Sequence, residues 1–138
     1  MPLEKQVTSL ELSKKLKKLG VSQEVNHGDY AWVYDELHLV HNDNDTGWLL
    51  GNDYLTYFRE QDGEIAEYVK AFTVAELGEM LPAQMTYEGR VFDLTIEKTS
   101  SGFWTVQYTI PTATYLLKTE RTLQDTLAKM LIYLLENK

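Results

Sequence analysis

The chain has 138 residues, 43% of them hydrophobic and 25% charged, with a formal net charge of −8 and no cysteine. That length fits one domain, 1–138, with a single core. The lack of cysteine excludes disulfides, thiolate metal sites and a cysteine nucleophile, and the acidic balance argues against a nucleic-acid surface, which needs clustered lysine and arginine.

Thr8 and Glu11 have the spacing of a capping box, with Val7 and Leu12 as its hydrophobic staple. Leu12, Leu16 and Leu19 then recur at helical spacing, so an amphipathic helix is expected over residues 9–19. Gly20 suits the left-handed residue that ends such a helix, with Val21 folding back onto Leu16. Lys14, Lys15, Lys17 and Lys18 fall in its second half, where cations complement the helix dipole. They read as a solvated face.

From residue 30 the period changes to two. Tyr30, Trp32 and Tyr34 share one strand face and Ala31 and Val33 the other. Asp35-Glu36 turns the chain into a second strand over residues 37–41, and residues 42–47 (NDNDTG) read as a polar loop. As a calcium loop this stretch fails. With Gly47 in sixth place, Asp53 stands where a bidentate glutamate belongs, and the charge is too low. His38 and His41 face opposite sides of a strand, so no metal site is expected there. Residues 48–58 keep no clean period and receive no assignment.

Residues 65–72 read as a strand entering a short helix, capped by Thr73, boxed by Glu76, stapled by Phe72 with Leu77, and stopped by Pro82. Gly78 inside it costs about 1 kcal/mol relative to alanine. Close backbone packing is the expected reason.

The clearest long-range signal spans residues 90–110. Phe92, Leu94 and Ile96 alternate with polar neighbours, as do Trp104, Val106, Tyr108 and Ile110. A loop of Ser100, Ser101 and Gly102, with Gly102 left-handed, sets Ile96 opposite Val106 and Leu94 opposite Tyr108. A one-residue slip would destroy that match. One more strand follows over residues 112–117. Thr122 starts the last helix, with Leu123, Leu127, Met130, Leu131 and Leu134 on one stripe. Ile132, Tyr133 and Leu135 are apolar beyond that stripe, more than one packed face needs. They are the expected contacts of a homodimer; the alternative is burial beneath residues 48–62, which would make the same residues core in a monomer.

Familiar catalytic signatures are missing: no G-x-x-x-x-G-K-[ST], G-x-G-x-x-G, G-x-S-x-G or H-E-x-x-H occurs. No catalytic residue, cofactor or metal is therefore assigned. The aromatic cluster that includes Tyr30, Trp32, Tyr34 and Trp48 is the remaining lead. Such rings anchor protein partners, although rings covering a small core with their polar tips in water account for the same cluster.

Three blocks carry a further signal: residues 9–23 (SLELSKKLKKLGVSQ), 71–82 (AFTVAELGEMLP) and 127–138 (LAKMLIYLLENK). They resemble a group of small proteins encoded in bacterial genomes, often within prophages. The resemblance covers about a third of the chain and contains caps, staples and core stripes rather than a catalytic signature. It implies a phage-associated accessory protein. The longest apolar run, residues 130–135, is too short to span a bilayer. Residues 1–6 hold no apolar secretory core. With the missing cysteines, these features make the cytoplasm the expected setting.

The expected fold is therefore α+β: a small antiparallel sheet packed against a C-terminal helix, with two shorter helices. The expected function is non-enzymatic binding of a host or phage protein. The alternative is a small-ligand or enzymatic domain with a pocket between the sheet and residues 48–62.

Overall fold

A computed structural model describes residues 6–25, 28–33, 36–43, 47–50 and 68–137, with the side chains of 40–43 and 47–50 excepted. Among these residues the chain forms three helices and two four-stranded antiparallel sheets. The α+β class expected from the sequence is present, and the C-terminal helix packs on a sheet as expected. The strands divide between two sheets, however, where one was anticipated. The division follows the chain, which separates into two units, Met1–Phe72 and Thr73–Lys138.

The first unit opens with α1 (Leu10–Lys18). Its cap is Ser9, not Thr8: the Ser9 side chain accepts the Leu12 N–H at 3.3 Å. Thr8 is diverted to a tertiary role. Its N–H donates to the Phe72 carbonyl at 2.9 Å, and its hydroxyl oxygen accepts the Phe72 N–H at 3.0 Å. The helix ends as the sequence predicts. Gly20 N–H reaches the Lys17 carbonyl and Val21 N–H the Leu16 carbonyl, the paired bonds of a Schellman motif. Of the basic cluster, Lys14, Lys15 and Lys18 are exposed, while Lys17 Nζ donates to the Tyr68 carbonyl at 2.7 Å.

The sheet of this unit runs β3-β2-β1-β4, with β1 (Tyr30–Val33), β2 (Glu36–Asp43), β3 (Gly47–Leu50) and β4 (Val69–Ala71). The alternation of β1 is as expected: Ala31 and Val33 are buried and Tyr30 and Trp32 half-buried. Ala31 and Val33 form a core cluster with Val25 and Tyr68. The Tyr68 hydroxyl donates to the Gln23 carbonyl at 2.6 Å, and burial raises its pKa above the ordinary phenol value. Strand β2 runs on through Asn42 and Asp43, so the polar stretch is shorter than the loop expected over 42–47. Tyr34, His27 and Asn44–Thr46 lie outside the described residues.

In the second unit α2 (Val74–Met80) carries the complete capping box. Thr73 Oγ1 accepts the Glu76 N–H at 3.3 Å, and Glu76 Oε1 accepts the Thr73 N–H at 3.1 Å. Gly78 corrects the expectation of close packing: a Cβ built there meets nothing within 4 Å. Gly78→Ala should therefore stabilise the unit by about 0.5–1 kcal/mol, since only the helix propensity of glycine is relieved. Urea unfolding checks this, and a lowered midpoint would show hidden crowding.

The second sheet is a meander, β5-β6-β7-β8, of β5 (Gln84–Tyr87), β6 (Arg90–Lys98), β7 (Trp104–Ile110) and β8 (Ala113–Glu120). The expected register holds: Ile96 pairs with Val106 and Leu94 with Tyr108. Gly102 adopts φ +89°, the left-handed conformation the three-residue loop requires. The face assignment holds as well. Phe92, Val106 and Tyr108 are buried, while Val91 and Asp93 are exposed. Ile96 is the exception, 44% exposed on the correct face. The reason is coverage: α3 (Leu123–Glu136) packs on β7 and β8 and leaves the far end of β6 open. Thr122 caps α3 by accepting the Asp125 N–H at 3.3 Å.

Strand β5 is absent from the expected elements. Its signal is Glu88-Gly89, which joins Tyr87 to Arg90 through a two-residue turn with φ +50° and +76°. Positive φ at both central positions marks a type I′ hairpin.

Candidate functional site

An apolar concavity among the described residues lies wholly within the second unit. The register places Met85, Phe92, Leu94, Val106, Tyr108 and Leu116 on one face of the β5–β8 sheet. Helix α3 covers part of that face, and the rest forms one side of a groove of about 380 Å³. Met80 and Pro82 from the end of α2 supply another wall. Leu131, Tyr133, Leu134 and Leu135 from the last turns of α3 supply a third.

Two local features shape it. Between Tyr108 and Thr109 the β7–β8 register slips, so that Tyr115 is an extra residue of β8 with no partner opposite. Bulges of this kind re-aim a side chain. Here the Tyr115 ring turns onto Tyr87, stacked at 4.3 Å between centroids, and lies 5.6 Å from Phe92. The stack separates the apolar groove from a more polar hollow flanked by Glu88, Arg90 and Thr114. The second feature is the Tyr108 hydroxyl, which donates to the Pro82 carbonyl at 2.6 Å and fixes the link between α2 and β5. Burial pushes the pKa of that phenol up to about 12.

The electrostatics are mild. Lys118 Nζ sits 4.5 Å from the Tyr133 ring centroid, and Lys129, midway along α3, is paired with Glu120 at the end of β8. Both are cation contacts with one side in water, each of modest value. The described lining contains no carboxylate, imidazole or amine. General acid–base chemistry needs such groups within hydrogen-bond reach of the reacting atom. Among the described residues no cluster of three acidic or histidine side chains could hold a metal ion. What this arrangement can do is take up apolar surface.

The residues singled out from sequence separate into groups. Tyr133 and Leu135 line the groove together. Ile132 does not join them: it is 5% exposed, a buried residue rather than an open contact. Its position follows from α3 burying two sides, with Ala128 and Ile132 as deeply placed as Leu127 and Leu131. Tyr30 and Trp32 are half-buried on β1, and the Trp32 ring N–H is engaged by the Thr8 carbonyl at 3.2 Å. Trp48 stands opposite Asn42 on β3, and Tyr34 lies outside the described residues. The pocket expected beside residues 48–62 falls mostly outside them too. Sequence reasoning missed Met80, Met85 and Tyr115. The hairpin signal at Glu88-Gly89 would have placed Met85 on the inner face, whereas nothing in the sequence marks the bulge at Tyr115.

No helix among the described residues is long and apolar enough to cross a membrane. Comparison of the chain with protein-family models, with curated proteins and with solved structures finds no match.

Proposed function

We propose that this chain is a non-enzymatic binding module, a phage-associated accessory protein of the bacterial cytoplasm whose second unit takes an apolar segment of another protein. The observation that carries the reading is the groove between α2, α3 and the β5–β8 sheet, lined by methionine, leucine and tyrosine without an acid or base. Methionine adapts to partners of different shape, and tyrosine offers a large contact area with a polar tip. The prophage setting rests on the resemblance of residues 9–23, 71–82 and 127–138.

Affinity capture from host lysate tests the proposal. Wild type should retain a partner that Leu135→Glu loses, with both proteins giving the same far-ultraviolet circular dichroism. Identical captured sets would refute the groove as the binding site. A second reading has its own support, because about 380 Å³ falls within the range of small-ligand sites. Saturable binding of an apolar dye, blocked by Leu135→Glu and with no protein partner captured, would favour it.

A further inference from the structure

The two edges of the second sheet are protected differently. Strand β8 carries Lys118 and Glu120 and is bulged at Tyr115, devices that discourage a strand from pairing with another chain. Strand β5, Gln84-Met85-Thr86-Tyr87, has no charge, no proline and no bulge. Three of its four residues are exposed.

Its backbone geometry shows which groups are open. Leu94 N–H donates to the Ala83 carbonyl at 2.9 Å, which makes Ala83–Leu94 a hydrogen-bonded pair. Pairs alternate along an antiparallel ladder. Met85 and Tyr87 therefore direct their N–H and C=O groups to β6, and those of Gln84 and Thr86 point outward from the sheet. The Gln84 side chain is occupied elsewhere, bonded to Asp93 at 2.8 Å, and leaves its main chain open.

We propose that β5 pairs with β5 of a second copy of this chain, antiparallel about a two-fold axis perpendicular to the sheet. Such an axis keeps every residue on its own face, so a residue must sit opposite one of the same parity. The register that uses all the outward groups sets Met85 against Met85 of the second copy, and Gln84 against Thr86. Gln84 and Thr86 then exchange both N–H···O bonds, and the symmetry repeats them, which gives four in all. Tyr87 faces Ala83, whose small side chain leaves the ring its place on Tyr115. The paired segment brings no like charges together. The acidic excess of the chain lies mostly in residues 1–72, so the second unit is nearly balanced and meets its copy with little repulsion. The interface is thus moved from the α3 contacts to the sheet edge, and it stands whatever occupies the groove.

The chain's lack of cysteine makes a clean crosslinking test available. Sedimentation of the full chain should show a monomer–dimer equilibrium between 1 and 200 µM. Thr86→Pro removes one outward N–H without touching a bond to β6, and proline is tolerated at such edge positions. It should weaken dimerisation at least tenfold at an unchanged melting midpoint. Should Thr86→Pro unfold, Thr86→Lys serves the same purpose by placing charge on the edge. Under mild oxidation Met85→Cys should form an intermolecular disulfide, because directly opposed residues of a non-hydrogen-bonded pair have the required Cβ separation. Gln84→Cys should crosslink far more slowly. A wild type that stays monomeric overturns the proposal, as does a dimer indifferent to both Thr86 variants. Faster crosslinking at Thr86→Cys than at Met85→Cys overturns the register. A monomer that instead binds an added extended apolar peptide, and loses it in Thr86→Pro, assigns the edge to a different partner and overturns the second copy.

Discussion

Tyr108→Ala should destabilise the second unit by about 3–5 kcal/mol, as large-to-small core changes at aromatic positions do. The ring is fully buried at the centre of β7, opposite both Leu94 and Leu116, so few neighbours are free to collapse into the space. Tyr108→Phe separates the ring from its hydroxyl. It keeps the packing and removes only the 2.6 Å bond to the Pro82 carbonyl, for an expected loss of about 1–2 kcal/mol. The hydroxyl also carries a pH signature. Its folded pKa lies near 12 against an ordinary phenol value of 10.0. Below pH 10 the phenol is neutral in both states and its contribution is complete. From pH 10 to 12 the unfolded chain releases the proton while the folded chain retains it, so stability falls as pH rises. The gap in urea midpoint between wild type and Tyr108→Phe should therefore close over that window. A gap that stays constant to pH 12 would show that Tyr108 titrates normally.

Thr8→Val should cost the first unit about 2–3 kcal/mol, from the penalty for stranding a buried donor together with a lost buried hydrogen bond. Valine matches the shape of threonine and keeps its branched Cβ. What disappears is one oxygen that accepts the Phe72 N–H at 3.0 Å and shares a 2.7 Å hydrogen bond with Ser13 Oγ. Thr8, Ser13 and Phe72 are all at most 1% exposed, so water does not replace that oxygen. Ser13 keeps its bond to the Ser9 carbonyl at 2.7 Å, which leaves the Phe72 N–H as the orphan. Thr8→Ser should recover most of the loss. Thr73→Ala, which removes a cap near solvent, should cost only about 1 kcal/mol. Trp32 fluorescence can follow the first unit, since its ring N–H rests on the Thr8 carbonyl. If Thr8→Val unfolds at the wild-type midpoint, the Thr8–Phe72 junction is not a stabilising contact.

The contrast between these threonines shows where sequence reading stops. Thr73 and Thr122 cap helices as their spacing implies, because capping is decided within four residues. Thr8 has the same local spacing, yet a strand end 64 residues away captures its hydroxyl and passes the cap to Ser9. The 90–110 hairpin was legible to the residue because two apolar faces and a glycine turn agree on one register. The division into two sheets was not legible, since strand alternation says which face is buried but not against which partner. The groove was half legible. An excess of apolar residues on the last helix pointed to Tyr133 and Leu135. The walls from α2 and β5, and the ring of Tyr115, depend on a bulge and a missed hairpin. Ile132 shows the converse, where apolar excess meant a second buried side.

The bond between Thr8 and Phe72 also sets an order of events. In the second unit β5 to β8 follow one another through short turns, so each strand finds its partner as soon as it emerges during synthesis, and such local pairings form fast. The first unit lacks that freedom. Its β1 strand must wait for β4, which arrives only after the intervening chain has been made, and a loop of that span must close before its contacts repay the lost entropy. Until residue 72 has left the ribosome, the β1 edge that will hold β4 stands open, and the nascent chain is most vulnerable to wrong pairing in that interval.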